Sequence, residues 1–261
     1  MKYLSDIRSA TRRVPIRRPG GDRSDGVSRE AVAVLDRTAI TGNLLVLRLV
    51  RPPGFAYRAG QHVKLGVPGL MRNYSFVSAP HQRDLEFFVE LFPYGRLSER
   101  LRTVRPGEVL VLAQQPKGDL RFDPRFPNQL CIGTVTGIAP YVSMLRDHLH
   151  RRPPSPRRVV VLHGASYASE LGYRGELTEL AARQPQTLAY LPTVSRPADP
   201  RNAGWNGARG RVEGHLDDVL RRFALTPADT AAFACGHPEM VRNTAAELDR
   251  RGFTTATEPF D

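Results

Sequence analysis

From residue 30 to residue 115 the chain carries six short, largely apolar β-like runs with polar residues set among them. These are EAVAVLDRT (30–38), NLLVLRLVRP (43–52), QHVKLGV (61–67), RNYSFVSA (72–79), LEFFVELF (85–92) and EVLVLAQQ (108–115). Runs of this length, rich in β-branched and aromatic residues and bounded by turn signals, predict strands. Turn-forming TGN, RPPG, YRAG and VPG separate the runs, at the spacing of a small antiparallel barrel. One stretch, GRLSERLRTV (95–104), reads as a helix and interrupts the series.

Around DPRFPNQ (123–129) the rhythm changes. Apolar runs then alternate with amphipathic ones: LCIGTV with YVSMLRDHLHR, RVVVLHG with RGELTELAAR, LAYLPTV with GRVEGHLDDVLRRF, AAFACG with EMVRNTAAELDRR, and finally TTATEPF. Strand–helix alternation implies a parallel sheet with helices on both faces. The pattern thus divides the chain into an arginine-rich extension (1–29), a six-stranded antiparallel β-barrel (30–124) and an α/β parallel-sheet domain (125–261). The extension, with Gly20, Gly21, Gly26, Asp22 and Asp25 and no periodicity, reads as a flexible tail.

Composition narrows the function classes. Two cysteines, Cys131 and Cys235, in 261 residues exclude a disulfide scaffold and a built-in plant-type iron–sulfur domain, which takes four thiolates. The seven histidines show no metal-ligand spacing, so no metal site is expected. No apolar run reaches the length of about 18 residues that suggests a membrane span, since Arg48 breaks LLVLRLV. The start lacks the apolar core of a secretory signal, and the reading is of a cytoplasmic protein. A formal charge of +12, from 38 basic and 26 acidic residues, favours an acidic partner. The arginines are spread along the chain without a basic recognition helix or zinc-finger spacing, which argues against nucleic acid.

Four segments carry candidate chemistry. MRNYSFVSAP (71–80) sets a cation, a ring and a hydroxyl, Arg72, Tyr74 and Ser75, on one predicted strand. IGTVTGIAP (132–140) is a glycine- and threonine-containing turn between a strand and a helix, where backbone N–H groups and the helix dipole can receive a phosphate. ACGHPEM (234–240) lies at the carboxyl end of a strand, where open α/β sheets bind ligands. Cys235 has no neighbouring base in sequence and is not expected to act as a nucleophile. TVSRP (193–197) and GARGRV (207–212) bring Ser195, Arg196, Arg209 and Arg211 to one edge, with no carboxylate before Asp199. Arginine there suits a 2′-phosphate, an acidic residue a free 2′-hydroxyl, so NADP is expected over NAD.

Five segments in order, RNYS (72–75), GRLS (95–98), TGIAPYVSML (136–145), CGHPEMV (235–241) and EPF (258–260), with LGYRGEL (171–177) between them, make residues 30–261 resemble a ferredoxin–NADP reductase-type flavoprotein of the bacterial kind. The resemblance implies an FAD-binding barrel and an NADP-binding α/β domain. Arg72 would pair with the FAD pyrophosphate, Tyr74 would stack on the flavin, and Ser75 would bond near flavin N5. Gly95, Arg96, Leu97 and Ser98 would face the same pyrophosphate from a helix start. Thr136 and Gly137 would face the nucleotide pyrophosphate, with Cys235 and Gly236 beside the nicotinamide. Phe260 would cover the other flavin face until NADPH displaces it, and Glu258 matches the acidic residue before that aromatic.

Two positions depart from the family pattern: Val135 stands where glycine is usual, and Phe260 replaces a tyrosine, with Asp261 after it. The resemblance implies hydride transfer between nicotinamide C4 and flavin N5, followed by one-electron exchange with a separate carrier, ferredoxin or flavodoxin. Alternatives are the reductase component of an oxygenase, a free-flavin reductase, and a non-catalytic basic binding protein on the same scaffold.

Overall fold

The computed structural model describes residues 28–151 and 157–260, so all but the last two residues of the extension read at 1–29 lie outside the described residues. The β-like segments form β1 (Arg29–Ala39), β2 (Leu44–Leu49), β3 (His62–Val67), β4 (Leu70–Ser75), β5 (Leu85–Glu90) and β6 (Val109–Ala113), with α1 (Arg96–Thr103) before β6. They make one antiparallel sheet in the order β4-β3-β6-β1-β2-β5. A bridge between Phe76 and Phe87 draws its two ends together into a nearly closed barrel. The inward set follows the period of two of a strand: Leu45, Leu47, Leu49, Val63, Leu65, Leu110 and Leu112 are buried in one cluster. Tyr57 and Phe76 stack there at 3.9 Å, and α1 closes one end with Leu97 and Leu101.

The second half contains β7 (Asn128–Thr134), α2 (Ala139–Arg151), β8 (Arg158–Ala165), α3 (Arg174–Arg183), β9 (Leu188–Val194), β10 (Ala208–Arg209), α4 (Leu216–Phe223), β11 (Thr230–Gly236), α5 (Pro238–Arg250) and β12 (Thr254–Pro259). All neighbours run parallel, in the order β10-β9-β8-β7-β11-β12. The order reverses at β7, so ligand-binding loops are expected beyond the carboxyl ends of β7 and β11. Two details differ from the sequence pattern. The helix expected over 210–223 is α-helical only from Leu216, because Val212–His215 is a 3₁₀ turn. The two-residue β10 is too short to show a period of its own. Among the described residues no helix is long and apolar enough to cross a membrane.

A shared core fixes the barrel against the sheet. Leu44, Val77 and Phe88 of the barrel side pack with Tyr141, Val142 and Leu145 of α2. Ser143 Oγ donates to the Ser78 carbonyl at 2.7 Å. Arg146 reaches Glu86 Oε1 at 3.0 Å and Glu176 Oε2 at 2.7 Å, joining β5 to α2 and α3. Tyr173 donates to the same Glu86 oxygen at 3.1 Å. These contacts hold the carboxyl ends of β7 and β11 facing the open side of the barrel.

Candidate active site

A cleft of about 480 Å³ lies between the two halves. β4 forms one wall with Arg72, Asn73, Tyr74 and Ser75, and the start of α1 forms another with Gly95, Arg96, Leu97 and Ser98. β4 is the end strand of its sheet, and both of its faces contribute to the lining, Arg72 and Tyr74 from one and Asn73 and Ser75 from the other. Arg72 is exposed and Nη1 bonds the Met71 carbonyl at 3.0 Å. Tyr74 is half-buried, and burial outweighs nearby Arg72 to push its hydroxyl up to about 12, so the ring is neutral. Ser98 Oγ accepts from the Phe92 N–H at 2.9 Å, so its side chain closes the 92–98 turn. The first N–H groups of α1 have no partner within the helix, which suits an anion.

Ser75 Oγ donates to Glu258 Oε1 at 3.1 Å, across 183 residues of chain. Glu258 reaches this point because β12 pairs in register with β11, setting Glu258 opposite Cys235. His62 stands opposite Ser75 on β3. Its Nδ1 lies 3.1 Å from Glu258 Oε2. The angle there is too poor for a hydrogen bond, so this buried nitrogen has no hydrogen-bond partner among the described residues. Gly118 is required beside them: it has φ +97°, and a Cβ there would come within 2.8 Å of Glu258 Oε2 and 2.9 Å of His62 Nδ1.

A second cleft, about 650 Å³, opens beyond β7 and β11, lined by Thr134, Val135, Ser195, Arg196, Arg211 and His237 among others. Glu90, Phe92 and Phe260 line both clefts. Phe260 is hung in place by its N–H, which donates to the Gly236 carbonyl at 2.9 Å. Burial, with Glu170 nearby, pushes the Glu90 carboxyl up.

Of the phosphate-turn residues, Thr136 is buried and faces the first cleft rather than the second. Gly137 packs its Cα against the Cys235 carbonyl, where a Cβ has no room. Gly236 has φ +128° and lies against Thr134, whose Oγ1 accepts from the His237 N–H at 3.0 Å. Cys235 is fully buried in the shared core. Burial raises its thiol pKa well above the ordinary value.

Val135 adopts φ +47°. A β-branched residue in the left-handed region is strained by about 1–3 kcal/mol, a strain that glycine does not have.

At the edge of the second cleft Arg196 Nη1 donates to the Tyr167 hydroxyl at 2.7 Å, while Arg201 lies 3.6 Å over the same ring and pairs with Asp199. Buried Asn202 ties this edge together: its Nδ2 donates to the Ser166 and Arg196 carbonyls at 2.9 and 2.8 Å, and its Oδ1 accepts from the Ala168 N–H at 2.8 Å. Sequence reasoning missed Arg201, Tyr167 and Asn202, which belong to no periodic run. It also missed His62, whose partners lie on strands distant in sequence.

A family model described as an oxidoreductase NAD-binding domain matches residues 131–246. The chain is 32% identical over 226 residues to the ferredoxin–NADP reductase of Pseudomonas aeruginosa, which covers 80% of this chain and 84% of that protein. It is 30% identical over 237 residues to the propane 2-monooxygenase reductase component of Mycolicibacterium goodii, 88% of this chain and 65% of that one. A solved ferredoxin NADP+ reductase from Neisseria gonorrhoeae, with bound FAD and NADP, is similar at a TM-score of 0.76 and 27% identity, covering 88% of this chain and 98% of that one. Matches of this extent place the protein among the oxidoreductases. The chain belongs to the ferredoxin–NADP reductase family.

Proposed function

We propose that the protein is an FAD-dependent NADPH oxidoreductase that exchanges electrons with an acidic one-electron carrier, ferredoxin or flavodoxin. The observation that carries this reading is the pair of clefts meeting at Phe260, with the Ser75–Glu258 hydrogen bond lining the first. The residues present fit both groups. In the first cleft an exposed guanidinium, a neutral half-buried ring and a helix start suit a flavin dinucleotide. In the second, Ser195, Arg196 and Arg211 suit a phosphorylated ribose.

When bound, FAD supplies the conversion between two-electron and one-electron chemistry. The chain's own part is binding, orientation and proton control. Arg72 and the N–H groups at Arg96, Leu97 and Ser98 hold phosphate, and Tyr74 supplies a flat face. Ser75 presents a hydroxyl whose direction is set by Glu258. Phe260 keeps water from the region shared by the clefts until a nucleotide ring takes its place. Positioning of this kind is where such a protein lowers the barrier. Soluble carriers as partners fit the cytoplasmic location read from the sequence.

The basic balance of the chain suits electrostatic steering of an acidic carrier. The test is the rate of NADPH-dependent reduction of ferredoxin and flavodoxin across a salt series. A steep fall with salt is expected; failure to reduce either protein at any ionic strength refutes the carrier assignment. The relative in Mycolicibacterium goodii supports a second reading, the reductase component of an oxygenase. Parallel assays with an oxygenase component and with free flavin separate the readings.

A further inference from the structure

The turn after β7 carries the left-handed Val135, and something must hold it there. Directly behind it stands His163, which is fully buried on β8 and sits opposite Gly133 in the parallel register. His163 Nε2 is 3.0 Å from the Val135 carbonyl oxygen. Its other nitrogen, Nδ1, is 3.0 Å from the Tyr190 hydroxyl of β9.

The hydrogen positions follow from valence alone. A carbonyl oxygen only accepts, so Nε2 must carry a proton and donate to Val135. A neutral imidazole has one N–H, so Nδ1 offers a lone pair and Tyr190 donates to it. Burial lowers the imidazole pKa to about 4 and raises that of the Tyr190 hydroxyl, so both groups stay neutral near pH 7. The chain Tyr190 O–H to His163 to Val135 carbonyl therefore has one tautomer and one direction. With the other tautomer a lone pair would face the Val135 oxygen.

Val135 itself lines the second cleft with Thr134 and Gly164, so whatever holds Val135 also shapes that cleft. We propose that Tyr190 and His163 form a buried clamp that holds Val135 in its left-handed conformation and so presets the turn on which a phosphate-bearing nucleotide binds. His163 and Tyr190 are positioning residues, since neither lines the cleft. Glycine at residue 135 would adopt this conformation without strain, and would make the clamp largely dispensable. That dependence separates a clamp from ordinary packing. The inference rests on the reading that the second cleft takes NADP(H).

The test is a double-mutant cycle on the full-length, FAD-loaded protein, read by titration with NADP+ and by thermal midpoint. Tyr190→Phe removes the donor to Nδ1 and should weaken NADP+ binding by about 3- to 10-fold, the equivalent of one lost hydrogen bond. Val135→Gly should raise the thermal midpoint. In the Val135→Gly background Tyr190→Phe should cost less than twofold in NADP+ affinity. Equal losses from Tyr190→Phe in both backgrounds would overturn the clamp.

Nitrogen-15 shifts of the His163 ring give an independent reading. They should report the Nε2–H tautomer in the parent; an Nδ1–H tautomer overturns the proposal. If no variant binds NADP+ at all, the nucleotide reading fails. The ring shifts, and the coupling of the two substitutions in the thermal midpoint, still decide whether the clamp exists.

Discussion

Ser75 and Glu258 are 183 residues apart in sequence and 3.1 Å apart in space, joining the barrel's end strand to the last strand of the parallel sheet. Among the described residues the hydroxyl has one acceptor and that acceptor is a carboxylate, so its direction is set by a residue of the other half of the molecule. A hydrogen bond to a charged group contributes about 1.5–3 kcal/mol. Ser75→Ala or Glu258→Gln should therefore slow reduction by NADPH about 10- to 100-fold and lower the thermal midpoint by about 3–12 degrees. Stopped-flow absorbance at the flavin band measures this; parent-like rates in both variants would remove the pair from the chemistry.

Arg72 offers its guanidinium at the mouth of the same cleft and, among the described residues, bonds its own strand's Met71 carbonyl through Nη1. Arg72→Ala should weaken retention of FAD about tenfold, the loss of one charge-assisted contact. Retention after desalting, followed by flavin fluorescence, measures it. Undiminished binding would mean that the pyrophosphate lies elsewhere.

Arg196 and Arg211 line the second cleft, but they differ: Arg196 is tied to Tyr167, while Arg211 is exposed at the start of a 3₁₀ turn. Arg211→Ala should cut the preference for NADPH over NADH by about tenfold, acting mainly on KM, because a contact to the 2′-phosphate is made equally before and during reaction. An unchanged ratio of kcat/KM for the two nucleotides would transfer the discrimination to Arg196 or Arg201.

His163 has a pKa lowered from 6.5 to about 4, chiefly by burial. Between those values the unfolded chain takes up a proton that the folded chain refuses, so stability rises with pH across the window. The contribution is full above pH 6.5, declines on acidification and is lost below about pH 4. His81 and His148 are also lowered and add slope of the same sign. His163→Gln should lower the thermal midpoint at pH 8 yet make it depend less on pH between 6.5 and 4.5. A variant curve parallel to the parent's would show that His163 does not titrate as its burial demands.

Arg146 joins two carboxylates, Glu86 and Glu176, from opposite halves of the molecule. Removing it leaves Glu86 partly buried beside Tyr173 without its cation. Arg146→Met should cost about 2–3 kcal/mol, less than for a fully buried pair because the side chains keep some exposure. Denaturant midpoints measure it, and Glu86→Gln combined with Arg146→Met should restore part of the loss.

The antiparallel barrel and the parallel sheet, though not the strand order within each, were readable because β-like runs and strand–helix rhythm are local properties of the chain, as LLVLRL and RVVVLHG show. So were Arg72, Tyr74 and Ser75, whose mixture is odd for a plain strand. Three things were not local. Ser98 spends its oxygen on the Phe92 N–H, a contact that no spacing announces. Thr136 turns to the first cleft, because a 3₁₀ turn at Val135–Ile138 replaces the smooth entry into α2 that the strand–helix pattern implied. His62 reads as the polar face of HVKLGV until register puts it across from Ser75 and β12 brings up Glu258. The positive φ of Val135 could not be read from valine itself.

Phe260 stands in both clefts at once, so under the proposed function the two ligands would share a border that neither owns. Affinity for the nucleotide would then be the net of two contacts, one gained and one broken. Enlarging or shrinking that single ring should trade residence time against speed, as a balance responds to its one movable weight.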